Sequence, residues 1–331
     1  MQTDTLPATD PHAIGRAATL LRAGCLVAFP TETVYGLGAN ALDADAVARI
    51  FAAKGRPATN PVIVHVADRI HAKKLVADWP DSATHLADRF WPGPLTLVLP
   101  KAPCVPDIVT AGGPTVALRI PAHPVALALL RSCGVPIAAP SANRSTELSP
   151  TTAEHVQRSL SDRIDLILDG GPTSGGLEST VLDVTTNPPT LLRPGLVTIA
   201  EIEAIVGSIQ RAGSVGDDAP ARSPGQMARH YSPRTPLTIA TTSRRHIETL
   251  TADGARIGWL THRDEGEVPG VSRVLLPADP VSYSARLYAA LHHIDSLGLE
   301  RIIVEAPPDD DAWLAVRDRL RRASLSEPRT Q

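Results

Sequence analysis

Short apolar runs alternate with amphipathic stretches along the first two thirds of this chain, and the alternation predicts strands and helices in turn. Residues 14–22 read as a helix, Gly24 then releases the chain into a strand over 25–29, and Pro30 ends that strand. Asp43 is placed to cap a second helix through Ala53, with Val47, Ile50 and Phe51 on one face. Further strands are expected over 95–99, 115–120, 136–139, 164–168, 180–183 and 190–193, and helices over 125–131 and 152–160. Strands mixed with helices imply an α/β, or α+β, domain in which helices cover a mixed, twisted sheet.

The pattern changes after Val206. Residues 210–236 are rich in Gly, Pro, Ser and Ala and carry little periodicity, which reads as a linker. Beyond it, strands at 237–240, 256–260, 271–276 and 301–305 alternate with helices at 244–250, 281–297 and 311–321. That is the pattern of a smaller, parallel, Rossmann-like α/β sheet. The expected division is a first domain over 1–208, a linker over 209–236, a second domain over 237–323 and a disordered tail over 324–331. Asp311 is expected to cap the last helix, with Asp309 and Asp310 favouring its dipole rather than binding metal. His292 and His293 are adjacent on a helix, so they diverge and make a poor metal pair.

Composition narrows the function classes. A net charge of −3 and a pI near 6.4 argue against bulk electrostatic binding to nucleic acid or an anionic membrane. Cys25, Cys104 and Cys133 are odd in number and form no Cys-x-x-Cys pair, which suggests a reducing compartment. The N-terminus shows neither the basic nor the apolar segment of a signal peptide, and no apolar run is long enough to span a bilayer. A cytoplasmic location is expected.

The candidate chemistry begins at Lys54-Gly55-Arg56-Pro57. Lysine occurs only at 54, 73, 74 and 101, so a lysine in a Gly/Pro-punctuated turn stands out. Lys54 and Arg56 pair an ammonium with a forked guanidinium, suited to phosphate or carboxylate oxygens and expected to face substrate rather than core. Asn60-Pro61 then turns the chain into a short apolar strand that delivers His65. Three polar, glycine- or serine-bearing loops stand beside apolar strands: 111–115, 140–145, and 169–172 with 175–180. Together they suggest one pocket in which backbone amides approach an anion. Gly36 to Ala41 fits the dinucleotide fingerprint, yet Thr31-Glu32-Thr33 intervenes after the strand and no acidic residue falls at ribose distance. A tight turn into the second helix is the expected form there. No P-loop and no Gly-x-Ser-x-Gly elbow occurs.

These phrases resemble the YrdC-like family of L-threonylcarbamoyladenylate synthases, in its long form with a C-terminal extension domain. The resemblance rests on Phe29-Pro30-Thr31-Glu32-Thr33-Val34-Tyr35-Gly36-Leu37-Gly38, on Lys54 to Pro57 and on Trp91-Pro92-Gly93-Pro94-Leu95-Thr96. Ser141-Ala142-Asn143, Glu178-Ser179-Thr180-Val181 and Leu192-Arg193-Pro194-Gly195 continue it. The linker phrase from Ser223 to Pro233 is similar to that of the long form, although some members carry a lysine near Gln226-Met227. The resemblance implies a YrdC-like fold and synthesis of threonylcarbamoyl-AMP and pyrophosphate from L-threonine, bicarbonate or CO2, and ATP. The product would pass to a tRNA threonylcarbamoyl transferase complex, with a weak or transient tRNA contact.

By the same resemblance, Lys54 and Arg56 would be catalytic. L-threonine would be held by Thr33, His65, Arg119, Ser179 and the strand end at Ala139. ATP would be held by Arg56, Asn60, Thr115, Ser141, Asn143, Ser149, Arg193 and Tyr231. Mg2+ would arrive on the ATP phosphates rather than in a protein cage. Tyr231 would reach the nucleotide as the linker closes like a lid. The alternatives are a non-catalytic RNA-binding module and a carbamoyl-transferring maturation factor. Few aromatics, 3%, count against the first, and the cysteine count cannot support the zinc finger of the second.

Overall fold

The computed structural model describes residues 2–212, 231–241, 244–251 and 254–324. The chain divides into two compact units, one of residues 1–145 and 149–227, the other of residues 146–148 and 228–331. The linker phrase up to His230 and the tail over 325–331 lie outside the described residues.

In the first unit the elements run β1 (Asp4–Pro7), α1 (Ala13–Arg22), β2 (Val27–Phe29), β3 (Gly36–Asn40), α2 (Ala44–Lys54), β4 (Ile63–His65), α3 (Arg69–Lys73) and α4 (Asp81–Phe90). They continue with β5 (Leu95–Pro100), α5 (Asp107–Thr110), β6 (Thr115–Arg119), α6 (Pro124–Cys133), β7 (Ile137–Ala138), α7 (Ala153–Leu160) and β8 (Leu166–Asp169). The last four are β9 (Thr180–Asp183), β10 (Thr190–Arg193), α8 (Ile199–Val206) and β11 (Gln210–Arg211). The described strands form one mixed sheet in the order β1-β8-β2-β3-β7-β4-β6-β5-β9-β10-β11. A mixed sheet covered by helices is the fold expected from the sequence. No described helix is long and apolar enough to cross a membrane.

Spacing explains the packing. Ala13, Ala17 and Leu21 recur every fourth residue, so α1 turns one stripe inward, and α6 does the same with Ala126, Leu129, Leu130 and Cys133. Both stripes bury against Val27, Phe29, Ile137, Leu166 and Leu168 of the sheet. Each leucine so buried contributes about 1.5–3 kcal/mol. A second cluster, Ile63, Val98, Ala117, Val181 and Leu192, covers β4, β5, β6, β9 and β10. The face bearing Ile63 and Ala117 also carries His65 and Arg119, because side chains alternate along a strand.

In this unit two local expectations are corrected and one helix is added. Gly36 to Ala41 is not a turn: Gly36–Asn40 is strand β3, antiparallel to β2 and β7. A Cβ on Gly38 would stand 2.9 Å from both Phe29 Cε1 and Ile137 Cγ2, so the glycines permit close packing rather than phosphate approach. Lys54 is the last residue of α2, not part of a turn; Asp43 caps the start of that helix and Gly55, at φ 60°, ends it. α4 was not anticipated, although Ala83, Leu86, Ala87 and Phe90 form its buried stripe, because two alanines give a weak apolar signal.

In the second unit, β12 (Leu237–Ala240), α9 (Arg244–Thr251), β13 (Ile257–Thr261), β14 (Ser272–Leu275), α10 (Pro280–Asp295) and β15 (Arg301–Glu305) precede a 3-10 turn, Asp311–Trp313, and α11 (Leu314–Ser324). The four strands are parallel in the order β12-β15-β13-β14 around Ile257, Trp259 and Ile303. Asp311 does not cap the last helix but opens the 3-10 turn before it, and that turn is capped by Asp310, whose side chain accepts from the backbone N–H groups of Ala312 and Trp313.

Candidate active site

His65 and Arg119 are register partners at the carboxyl ends of the parallel strands β4 and β6. The Arg119 guanidinium is buried and fixed on three sides. Nε donates to Gly93 O at 3.1 Å, Nη1 to Thr33 Oγ1 at 3.0 Å, and Nη2 to Glu32 Oε1 at 2.6 Å. Thr33 is in turn hydrogen-bonded to Thr31 Oγ1 at 2.7 Å. A guanidinium has five N–H donors, so within the described residues two remain for a ligand carboxylate. Burial pushes His65 down to about 3, with the Arg119 charge acting in the same direction, so its ring is neutral at physiological pH. His65 Nδ1 has no hydrogen-bond partner among the described residues. The backbone N–H of Ala139 donates to Ile63 O at 2.8 Å, which brings that strand end beside β4.

The cationic half of the site is equally buried. Lys54, 2% exposed, donates from Nζ to Ser141 O at 2.5 Å and to Asn143 O, with Asn143 Oδ1 at 3.5 Å. The helix end thereby fixes the 141–143 loop, and Ser145 N returns a bond to Lys54 O at 2.8 Å. Arg56, 7% exposed, reaches Pro61 O at 2.9 Å and Asn60 O at 3.3 Å through Nη2. These cations are buried in the wall, contrary to the expectation that they face substrate rather than core. The Val62 N–H bond to Val109 O, 3.0 Å, ties the Asn60 turn to α5.

The β9–β10 register shifts between Leu191 and Arg193, and the Arg193 side chain reaches Ser179. Its Nη2 donates to Ser179 O at 2.9 Å and Ser179 Oγ at 3.1 Å, and that hydroxyl also lies 2.7 Å from Thr96 Oγ1. Gly195 makes the approach feasible: a Cβ there would sit 2.3 Å from Thr180 N and 2.5 Å from Glu178 O. Ser149 Oγ donates to the buried Glu178 carboxylate.

Thr115 is far from Arg119 along β6 but, by the β4–β6 register, falls opposite Pro61 and so beside Asn60. It opens β6 opposite Pro100, about 13 Å from Arg119 at 3.3 Å per residue, on the same strand face. Tyr231 is buried within the second unit, its ring 5.9 Å from that of Tyr288 and beneath the Arg319 guanidinium at 5.0 Å. Sequence reasoning gave no role to Glu32, Glu178 or Tyr35. Tyr35 links two loops: its carbonyl accepts from Ala142 N at 2.8 Å, while its hydroxyl donates to Gly171 O at 2.8 Å. All three lie inside the phrases that carried the resemblance, which was the available signal.

Buried cations, hydroxyls and a neutral imidazole gather at strand ends of the mixed sheet. Comparison with known proteins shows the family. A family model described as "Telomere recombination", Sua5/YciO/YrdC, matches residues 19–195, and one described as the threonylcarbamoyl-AMP synthase C-terminal domain matches residues 197–324. The threonylcarbamoyl-AMP synthase of Bacillus subtilis is 47% identical over 97% of this chain and 95% of its own length. That of Pyrococcus abyssi is 46% identical over 93% of both. A crystal structure of P. abyssi Sua5 complexed with L-threonine superposes with a TM-score of 0.88 at 45% identity, covering 94% of each chain. The chain belongs to the Sua5/YciO/YrdC family, in the long form that carries the C-terminal domain.

Proposed function

We propose that this chain is an L-threonylcarbamoyladenylate synthase, a nucleotidyltransferase that consumes L-threonine, bicarbonate or CO2, and ATP. The observation that carries the reading is Arg119, held with two donors unused beside a neutral His65, on the same unit as the buried Lys54, Arg56 and Arg193. The Arg119 fork suits the threonine carboxylate. Thr33, His65, Ala139 and Ser179 surround the remainder of the amino acid. Arg56, Asn60, Thr115, Ser141, Asn143, Ser149 and Arg193 serve the nucleotide, with Tyr231 as a further nucleotide contact.

The threonine amine adds to CO2 and loses a proton to give a carbamate, whose oxygen attacks the α-phosphorus while pyrophosphate leaves. No covalent enzyme intermediate is needed. Lys54 and Arg56 contribute by fixing the 141–143 and 60–61 segments and by placing positive charge where negative charge builds on the phosphate. Asn143 would be the residue to help hold Mg2+, through its side-chain oxygen, with phosphate oxygens and water as the other ligands. When bound, the ion neutralises phosphate charge. The product would be passed on, in the cytoplasm, to a tRNA threonylcarbamoyl transferase complex, with at most transient tRNA contact.

Pyrophosphate release from ATP, measured with threonine and bicarbonate each omitted in turn, tests the reading. Release that requires both is expected. Release independent of threonine, or tRNA binding without any release, would overturn it in favour of an RNA-binding module.

A further inference from the structure

Glu32 lies between the two threonines of the loop after β2, and the assignments above leave it without a task. Both of its carboxylate oxygens are nevertheless engaged: Oε1 accepts from Arg119 Nη2 at 2.6 Å and Oε2 from the backbone N–H of Ala122 at 2.9 Å. The pair is largely withdrawn from solvent, the Arg119 side chain 4% and the Glu32 side chain 14% exposed. The Glu32 carbonyl accepts from Gly175 N at 2.7 Å. Residue 175 has to be glycine for this, since a Cβ would stand 2.8 Å from that carbonyl oxygen and 2.3 Å from Leu196 Cδ1. One residue thus ties the 31–34 loop to the end of β6 and to the loop that precedes β9.

We propose that Glu32 is a positioning residue for the amino-acid carboxylate. It fixes the rotation of the Arg119 guanidinium through Nη2, so that the two donors not taken by Gly93, Thr33 and Glu32 face the ligand as one fork. An arginine held only at Nε and Nη1 could still tilt its planar guanidinium as one rigid body, and bidentate recognition of a carboxylate depends on that plane. A long side chain that is already ordered also loses less freedom when the ligand arrives. The second anchor at Ala122 N explains why a carboxylate is required: the amide of a glutamine would turn a donor toward one of the two N–H groups. This inference rests on the threonine reading of the pocket.

The test is steady-state pyrophosphate release by the full-length chain, with threonine and ATP varied in turn, for the unaltered protein, Glu32→Gln and Glu32→Asp. Glu32→Gln is expected to raise the threonine KM by about 10-fold, about 1.4 kcal/mol, with kcat and the ATP KM within about 2-fold of the unaltered protein. Glu32→Asp keeps the charge on a shorter stem and is expected to fall between the two. A purely structural tie would move both KM values together, and a direct part in the chemistry would lower kcat at constant KM. Either pattern, or an unchanged threonine KM, overturns the proposal. Should Glu32→Gln fail to fold, Glu32→Asp decides on the same criterion, with about a 3-fold rise in threonine KM expected at unchanged ATP KM. An unaltered protein without threonine-dependent release would sink the functional reading and this proposal together, whereas an active protein insensitive to Glu32 sinks this proposal alone.

Discussion

Lys54 Nζ and Ser141 O are hydrogen-bonded at 2.5 Å although 87 positions separate them in the chain. The bond joins the carboxyl end of α2 to the loop after β7. It turns two motifs that look independent in the sequence into one wall of the site.

Lys54→Ala is therefore expected to do more than remove a charge. The carbonyls of Ser141 and Asn143 lose a buried donor, costing on the order of 1–3 kcal/mol of stability, and the loop carrying Asn143 loses its anchor. Threonine-dependent pyrophosphate release should fall by about 100-fold or more. Calorimetric melting and turnover, measured on one preparation, check both halves. Near-normal turnover in the folded variant would remove Lys54 from the site.

His65 gives a pH signature. Its folded value is about 3, set by burial first and by Arg119 second, against 6.5 in the unfolded chain. Between those values the unfolded chain binds a proton that the folded chain refuses, so this residue's contribution makes stability rise with pH and then level off above 6.5. From pH 5 to 6.5 the gain is on the order of 2 kcal/mol. Urea unfolding at the two pH values should show this slope in the unaltered protein and a flatter one in His65→Gln. Equal slopes would mean that His65 is not held neutral.

Gly195→Ala probes the contact of the 192–195 turn with the 178–180 strand entry. The added Cβ would meet backbone atoms of Thr180, Glu178 and Ser179 at 2.3–2.5 Å, and no side-chain rotation relieves that. A loss of about 1–3 kcal/mol or more is expected, together with displacement of Arg193 from Ser179 and weaker ATP use. Thermal denaturation and the ATP KM report the two effects, and a variant unchanged in both would contradict the packing.

Amino-acid choice follows from the hydroxyl-rich wall. Threonine should be preferred over valine far more strongly than over serine. An absent hydroxyl leaves buried polar groups unpaired, whereas an absent methyl costs about 1–3 kcal/mol. Competition among the three amino acids in the release assay measures this, and comparable turnover with valine and threonine would argue against the pocket.

Much of this protein was legible from its sequence because the signals were local. The cap at Asp43, the helices α1, α6 and α7, the strands 180–183 and 190–193 and the parallel C-terminal sheet follow from hydrogen bonds and periodicities spanning a few residues. The motif phrases also marked the site's cations and hydroxyls. Only tertiary structure decided what those groups touch. Gly38 is a glycine because Phe29 and Ile137 crowd it, and Lys54 is buried because a loop from beyond β7 closes over its helix end. Arg119 is oriented by Glu32, Thr33 and Gly93, which arrive from two separate segments. Such pairings depend on sheet order and register, which long-range packing sets and no short window of sequence contains.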